Sequence, residues 1–331
     1  MSTQKGKKAV SLFVLGALLA LLAGAYYLQA GGDDAANPRG NFWRVVRHGI
    51  PAYSSTPEQG HTVLIVNSGE NWREIRNGLL MPFSQWLLVL ALAVLGLFYK
   101  FVGPDKLEEP RTGVMIERYT RSERILHWYT AFLFIAMAVT GLSLLLGRLL
   151  LIPVFGHSFQ SSLLQMAKIL HNYLGPLLVI GFILEFFFWV RVNIPKKADL
   201  GWFRSMGGML HKEGPRPHTG KVNVGQKGWF WLVMIFGVSV GVTGVVLDFP
   251  IWGQSRFTMQ VSHIVHVLTA ILFVGASLAH MYMGSFGVEG VFEGIWDGSV
   301  DEVWARQHAD LWYDEMMQKK GEKVEKIGSP D

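Results

Sequence analysis

The sequence predicts an all-α membrane protein: a four-helix transmembrane bundle preceded by an extra N-terminal span and a leader segment. Three observations predict it. Half of the residues are hydrophobic and only 17% are charged, with mean hydropathy +0.28, a balance outside that of soluble globules. Several apolar runs reach the ~20 residues that a helix rising 1.5 Å per residue needs to cross a bilayer. Lys and Arg cluster at alternate ends of those runs, the pattern of loops retained in the cytoplasm.

Composition also excludes. The chain has no cysteine, so it holds no disulfide, iron–sulfur cluster or covalently attached c-type haem of its own. Its 12 Trp suit two interfacial aromatic belts. The formal charge of +5 is small and acts through its distribution between loops; it is no nucleic-acid signal.

Residues 1–30 form the leader. Lys5, Lys7 and Lys8 precede an apolar run over 9–28, trailed by small residues. This reads as a signal peptide cut after Ala30 or as an uncleaved N-terminal anchor, and either way the chain beyond it is translocated. Residues 31–78 are a polar periplasmic segment with a strand-like run over 62–66. Its His48 and His61 have no metal-ligand neighbour at zinc-site spacing, so they read as surface histidines. Residues 69–78 are expected to lead into the next span along the membrane surface.

The extra span covers 79–102 and contains no histidine. Lys100, Lys106, Arg111, Arg118, Arg121 and Arg124 come at its end and just after it, which places this connection in the cytoplasm. The core then runs over 103–283, with spans near 125–146, 163–192, 228–247 and 259–283. The loop 149–162 is expected on the periplasmic side, with His157 solvated. The connection between the second and third core spans carries Arg191, Lys196, Lys197, Arg204, Lys212, Arg216, Lys221 and Lys227 and is cytoplasmic, with His211 and His218 solvated. A short outer turn over 248–257 leads to the last span, and 284–331 is a charged, helical cytoplasmic tail.

The last span carries the chemistry. Residues 259–283 contain no charged side chain yet hold His263, His266 and His280. His266 and His280 are fourteen residues apart, so they point within ~40° of each other, ~21 Å apart along the axis. His263 is turned ~100° from His280. A lone membrane histidine can serve as a helix-packing hydrogen bonder, but ionisable groups inside a membrane are functional candidates. Partners exist at both depths. His127 begins the first core span on the cytoplasmic side, level with His280. His171 begins the second on the periplasmic side, level with His266. Four histidines from three helices thus make two pairs, each able to grip a planar metal macrocycle from both faces. Protohaem fits, since imidazole is a standard ligand to haem iron. With both axial positions filled the chemistry is electron transfer. Zinc would need further ligands at one depth, and none is evident.

The same arithmetic singles out two more positions. Gly141, fourteen residues after His127, either makes room for a porphyrin or serves small-residue helix packing, as Gly237-x-x-x-Gly241 does. Glu185, fourteen residues after His171, lies at the depth of the cytoplasmic-side pair. A carboxyl is costly there; it either helps deliver protons or hydrogen-bonds a neighbouring helix.

From about Arg118 to Tyr313 the chain resembles the gamma subunit, cytochrome b, of membrane-bound formate dehydrogenases. The segments that carry the resemblance are Arg124-Ile125-Leu126-His127-Trp128, Lys168-Ile169-Leu170-His171, Asn193-Ile194-Pro195-Lys196-Lys197, Asn223-Val224-Gly225-Gln226-Lys227 and His280-Met281-Tyr282-Met283. The resemblance implies two haem b groups, with His127 and His280 holding the cytoplasmic-side iron and His171 and His266 the periplasmic-side iron. It implies a quinone, menaquinone or ubiquinone, beside the cytoplasmic-side haem at Asn223, Gly225 and Gln226. Amide side chains can hydrogen-bond a quinone carbonyl, and glycine allows close approach; the bland alternative for this segment is a turn before a helix. The implied partners are an iron–sulfur beta subunit and a periplasmic alpha subunit with molybdenum or tungsten that oxidises formate. The implied place is the bacterial inner membrane, and this subunit would have no catalytic residue for formate. The first ~110 residues have no counterpart in short members of that family. Two other functions are compatible with the sequence: the dihaem cytochrome b of a hydrogenase or thiosulfate reductase, and a haem-free anchor or proton-relaying transporter.

Overall fold

In a computed structural model of the chain, the described residues are 67–196, 199–205 and 216–328. The leader, the run 62–66, His48, His61 and His211 lie outside them. Five helices among the described residues are long and apolar enough to cross a membrane. With no water in the hydrocarbon, backbone groups must be satisfied within each helix, which is why apolar length alone dictates these elements.

The first begins as α1 (Asn67–Glu74), passes through a π-helical turn (Ile75–Leu80) and continues as α2 (Met81–Phe101). The expected surface lead-in over 69–78 is therefore part of one continuous helix, Gly69–Phe101. The weak helix formers Asn77 and Gly78 sit where the ladder widens. The core helices are α3 (Arg121–Leu150), α4 (Ile152–Trp189), α6 (Val224–Asp248) and α7 (Arg256–Tyr282), with a short α5 (Asp199–Ser205) between the second and third. Thr120 starts α3 with a capping box: its hydroxyl accepts from the Glu123 amide, and Glu123 accepts from the Thr120 amide.

The expected loop over 149–162 is instead helical. Pro153 stands in the first turn of α4, where a missing N–H leaves nothing unsatisfied. The only non-helical residue inside is Gly156 at φ 77°, ψ 174°, a conformation open to glycine. His157 is exposed as expected, but on a helix.

By contact the chain divides into two compact units. Of the described residues, one contains 67–85 together with Val246–Leu268. Within it the Trp72 ring meets His263 edge-on at 5.4 Å, and the Gln254 amide donates to the Val246 and Phe249 carbonyls, closing the turn before α7.

The other unit comprises Trp86–Val245 and Thr269–Asp331. Its apolar centre is Leu178 and Phe182 of α4, Phe230, Val233 and Met234 of α6, and Phe273 of α7. Small residues bring these helices close: a Cβ at Gly237 would lie 2.8 Å from Phe182, and one at Gly241 3.1 Å from Val179.

A small water-side domain completes this unit and adds a sheet to the all-α expectation. Strand β1 (Met115–Glu117) pairs antiparallel with β2 (Ser299–Asp301). Around them lie a π turn (Met283–Gly287), α8 (Val291–Trp296), α9 (Glu302–His308) and α10 (Asp310–Gly328). Ile116, Val300, Trp304, Ala305, Ala309 and Trp312 form its core. Asp301 caps α9 through the Val303 amide and also accepts from the Gly113 amide at 2.8 Å, tying the two distant segments together. Arg118, buried, places its guanidinium 4.2 Å from the Trp304 ring and donates to the Lys221 carbonyl. His308, not singled out in the sequence, is buried here 3.8 Å from Asp105, and burial lowers its pKa to about 4.

Candidate functional site

Four histidines are singled out by the sequence, and the structure places each on its expected helix. His127 lies in the second turn of α3, His171 in the middle of the long α4, and His266 and His280 on α7.

His127 and His280 face one another with ring centres 6.3 Å apart and planes inclined by 53°. Two imidazoles bound to one metal ion at about 2 Å per metal–nitrogen bond have ring centres roughly 6 Å apart. The pair therefore fits a metal held between them. Neither ring is loose. The indole of Trp229, on the second turn of α6, stacks on His280 at 4.4 Å with planes 7° from parallel, and Trp128 meets His127 edge-on at 5.3 Å. Among the described residues His127 Nδ1 is buried without a hydrogen-bond partner.

His171 is oriented from α3. Its Nδ1 lies 2.9 Å from the Thr140 hydroxyl, the kind of outer contact that fixes which ring nitrogen a ligating histidine presents. At the next residue, Gly141, a Cβ would lie 3.1 Å from His171 Cε1, so the glycine leaves room for the imidazole. His266 lies in the other compact unit, on the same helical run as His280.

Thr130, one turn after His127, donates its hydroxyl to Glu185 of α4 and stands 3.0 Å from the carbonyls of Leu126 and His127. Glu185 thus hydrogen-bonds the neighbouring helix that carries a candidate ligand.

The segment 223–226 is a helix cap. The Gln226 amide N–H donates to Asn223 Oδ1 at 2.9 Å, and the Asn223 N–H donates to Gln226 Oε1 at 3.0 Å, a reciprocal capping box at the start of α6. Gly225 is needed because the Trp202 ring stands 3.2 Å from where its Cβ would be. The bland reading of these residues therefore has a structural basis, and the groups left over for a ligand are the amide NH₂ groups.

Sequence reasoning missed Trp229, Thr140 and Thr130. Their signal was weak: each is an ordinary residue type for a membrane helix, and only packing across helices shows what it touches. His218, expected to be solvated, is exposed but bonded to Asp310.

Apolar spanning helices that oppose imidazoles across their interior define a multi-pass membrane cytochrome of the b type. The chain belongs to the prokaryotic cytochrome b561 family, whose model matches residues 118–298, and a cytochrome b of this family carries haem b. It is 33% identical over 219 residues to the nitrate-inducible formate dehydrogenase cytochrome b556(Fdn) subunit of Escherichia coli K12, covering 65% of this chain and 97% of that one. It is 32% identical over 217 residues to the formate dehydrogenase cytochrome b556(fdo) subunit of the same organism, covering 63% and 97%. A formate dehydrogenase cytochrome b556 subunit of Haemophilus influenzae is 30% identical over 216 residues, covering 62% and 85%.

Proposed function

We propose that this chain is the membrane-anchoring cytochrome b subunit of a respiratory formate dehydrogenase, and that it passes electrons from a periplasmic iron–sulfur subunit to quinone at the cytoplasmic side. The observation that carries the reading is the opposition of His127 and His280 in a chain whose relatives are formate dehydrogenase cytochrome b subunits. His127 and His280 would hold one haem b, and His171 and His266 a second. Haem b supplies one-electron transfer when bound.

The chain's own residues do the rest. Trp229 and Thr140 would orient the His280 and His171 imidazoles toward the iron. The apolar core of α4, α6 and α7 keeps water out of the span. A quinone head would lie by the 223–226 cap, where the NH₂ groups of Asn223 and Gln226 can donate to its carbonyl. Glu185, which accepts a hydrogen bond from Thr130 on the His127 helix, would relay a proton toward that side. The partners of this reading are an iron–sulfur subunit and a formate-oxidising subunit with molybdenum or tungsten, in the bacterial inner membrane.

The test is a reduced-minus-oxidised optical spectrum of membranes given formate, with mass spectrometry of the proteins that co-purify. Formate-reducible b-type bands and a molybdenum or tungsten partner are expected. Bands reduced by hydrogen instead would assign the chain to a hydrogenase, and absence of b-type bands would overturn the haem reading.

A further inference from the structure

The outward stripe of α3 forms a groove with α8. Arg121, Arg124, Ile125, Trp128 and Phe132 recur at helical spacing and share one face. With Trp296 of α8 they line a groove of about 470 Å³. The groove is distinct from the haem side of the same helix, where Leu126 and Thr130 are buried. From Arg124 to Phe132 it descends eight residues, about 12 Å along the axis.

Its two ends differ in chemistry. At the polar end stand two guanidinium groups. Among the described residues neither is paired with a carboxylate: the adjacent Glu123 is engaged by the Thr120 amide and by Lys221. The apolar wall runs from Ile125, beside the guanidinium groups, to Phe132 at the deep end, and these two are 60% and 62% exposed. The walls are fixed, because Arg124 donates to the Trp296 carbonyl at 2.6 Å and the Trp128 and Trp296 rings meet edge-on at 5.2 Å.

We infer that this groove binds an anionic glycerophospholipid, its phosphate on Arg121 and Arg124 and an acyl chain along Ile125, Trp128 and Phe132. Arginine forks match phosphate geometry. Tryptophans favour the depth at which headgroups meet hydrocarbon, and basic pockets at the ends of spanning helices suit anionic headgroups. An uncharged quinone head would offer the two guanidinium groups no counter-charge. The inference rests only on α3 spanning the membrane, and it stands whether or not His127 ligates haem.

The test is native mass spectrometry of the full chain, released from nanodiscs containing phosphatidylglycerol and phosphatidylethanolamine. Phosphatidylglycerol should be retained preferentially. Arg121→Gln, at an exposed position with no buried contact, should weaken retention about fivefold, the contribution of one cation at an anionic surface. Arg121→Gln combined with Arg124→Gln should abolish the preference, with helical circular dichroism reporting intact folding. Equal retention of both lipids, unchanged retention in Arg121→Gln, or recovery of a quinone in the lipid's place would overturn it.

Discussion

The indole of Trp229 lies flat on the imidazole of His280, ring centres 4.4 Å apart. A stacked aromatic neighbour contributes about 0.5–1.5 kcal/mol beyond its buried area, enough to favour one rotation of the ring about its Cβ–Cγ bond. Trp229→Leu keeps an apolar residue and removes the stack. If His280 ligates a haem, haem content should hold, while that haem's low-spin electron paramagnetic resonance signal broadens and shifts. An unaltered signal would mean that something other than Trp229 sets the ring's rotation.

Removing either ring of the opposed pair should be more drastic. His127→Ala or His280→Ala leaves one imidazole with nothing across from it. If two haems are held, haem per chain should fall by about half in either variant, and the double variant should lose no more than the singles. A pyridine haemochrome assay on purified protein reads the ratio. Additive losses would show that the two histidines do not share one group.

These side chains also show what a sequence can and cannot reveal. The spanning helices are legible because a membrane permits so few backbone solutions that apolar length is nearly decisive. His127 and His280 are legible because helical arithmetic carries depth and facing over a straight span. The water-side domain is not. Its strands join residues 115–117 to 299–301, and three-residue strands leave no periodicity to read. Arg118 reads as a loop charge marking the cytoplasmic side, yet it is only 3% exposed, beneath Trp304. Residues 149–162 mislead because Pro153 and Gly156 look like loop punctuation; one begins a helix and the other interrupts it for a single residue. In segment 223–226, asparagine and glutamine read equally as ligand donors and as a cap, and only the folded backbone reveals the cap.

Glu185→Gln separates two roles of one carboxyl. The amide still accepts the Thr130 hydroxyl bond, so helix packing should survive. It cannot carry a proton. If Glu185 relays protons, quinone reduction should slow by roughly a hundredfold, the scale of a lost acid–base group, with formate still reducing the haem bands. Turnover at the parental rate would leave Glu185 as a packing bond alone.

Outside the membrane, pH should tune how α10 is anchored. His218 is raised above its usual value by its hydrogen bond to Asp310 and by that carboxylate's charge. Asp310 is lowered: burial alone would raise it, but bonds from His218, the Thr219 amide and the Leu311 amide outweigh that. A raised histidine stabilises fully below its unfolded value of 6.5 and loses that contribution as pH climbs through the higher folded value. A lowered aspartate stabilises above 3.8 and loses it as pH falls through the lower folded value. Anchoring should therefore be firmest between about 4 and 6.5 and loosen toward alkaline pH. Hydrogen exchange at the Thr219 and Leu311 amides should accelerate beyond its intrinsic base dependence over that rise, and His218→Gln should remove the excess.

Gly141 offers the sharpest steric test at the second candidate ligand. A methyl group there would sit 3.1 Å from His171 Cε1, closer than an ordinary carbon contact of about 3.5–4.0 Å. The imidazole cannot simply swing aside, because Thr140 holds its Nδ1 at 2.9 Å. Either that bond breaks or α3 and α4 separate by several tenths of an ångström. Overpacking of this kind costs about 1–3 kcal/mol. If His171 ligates a second haem, Gly141→Ala should therefore weaken its retention and leave a haem held by His127 and His280 in place, since the added methyl meets His171 and neither of those rings. A redox titration followed optically would show one component diminished and the other unmoved. Gly141→Ala combined with Thr140→Ala frees the ring to shift and should recover part of the lost haem; no recovery would place the obstruction in the helix backbones instead.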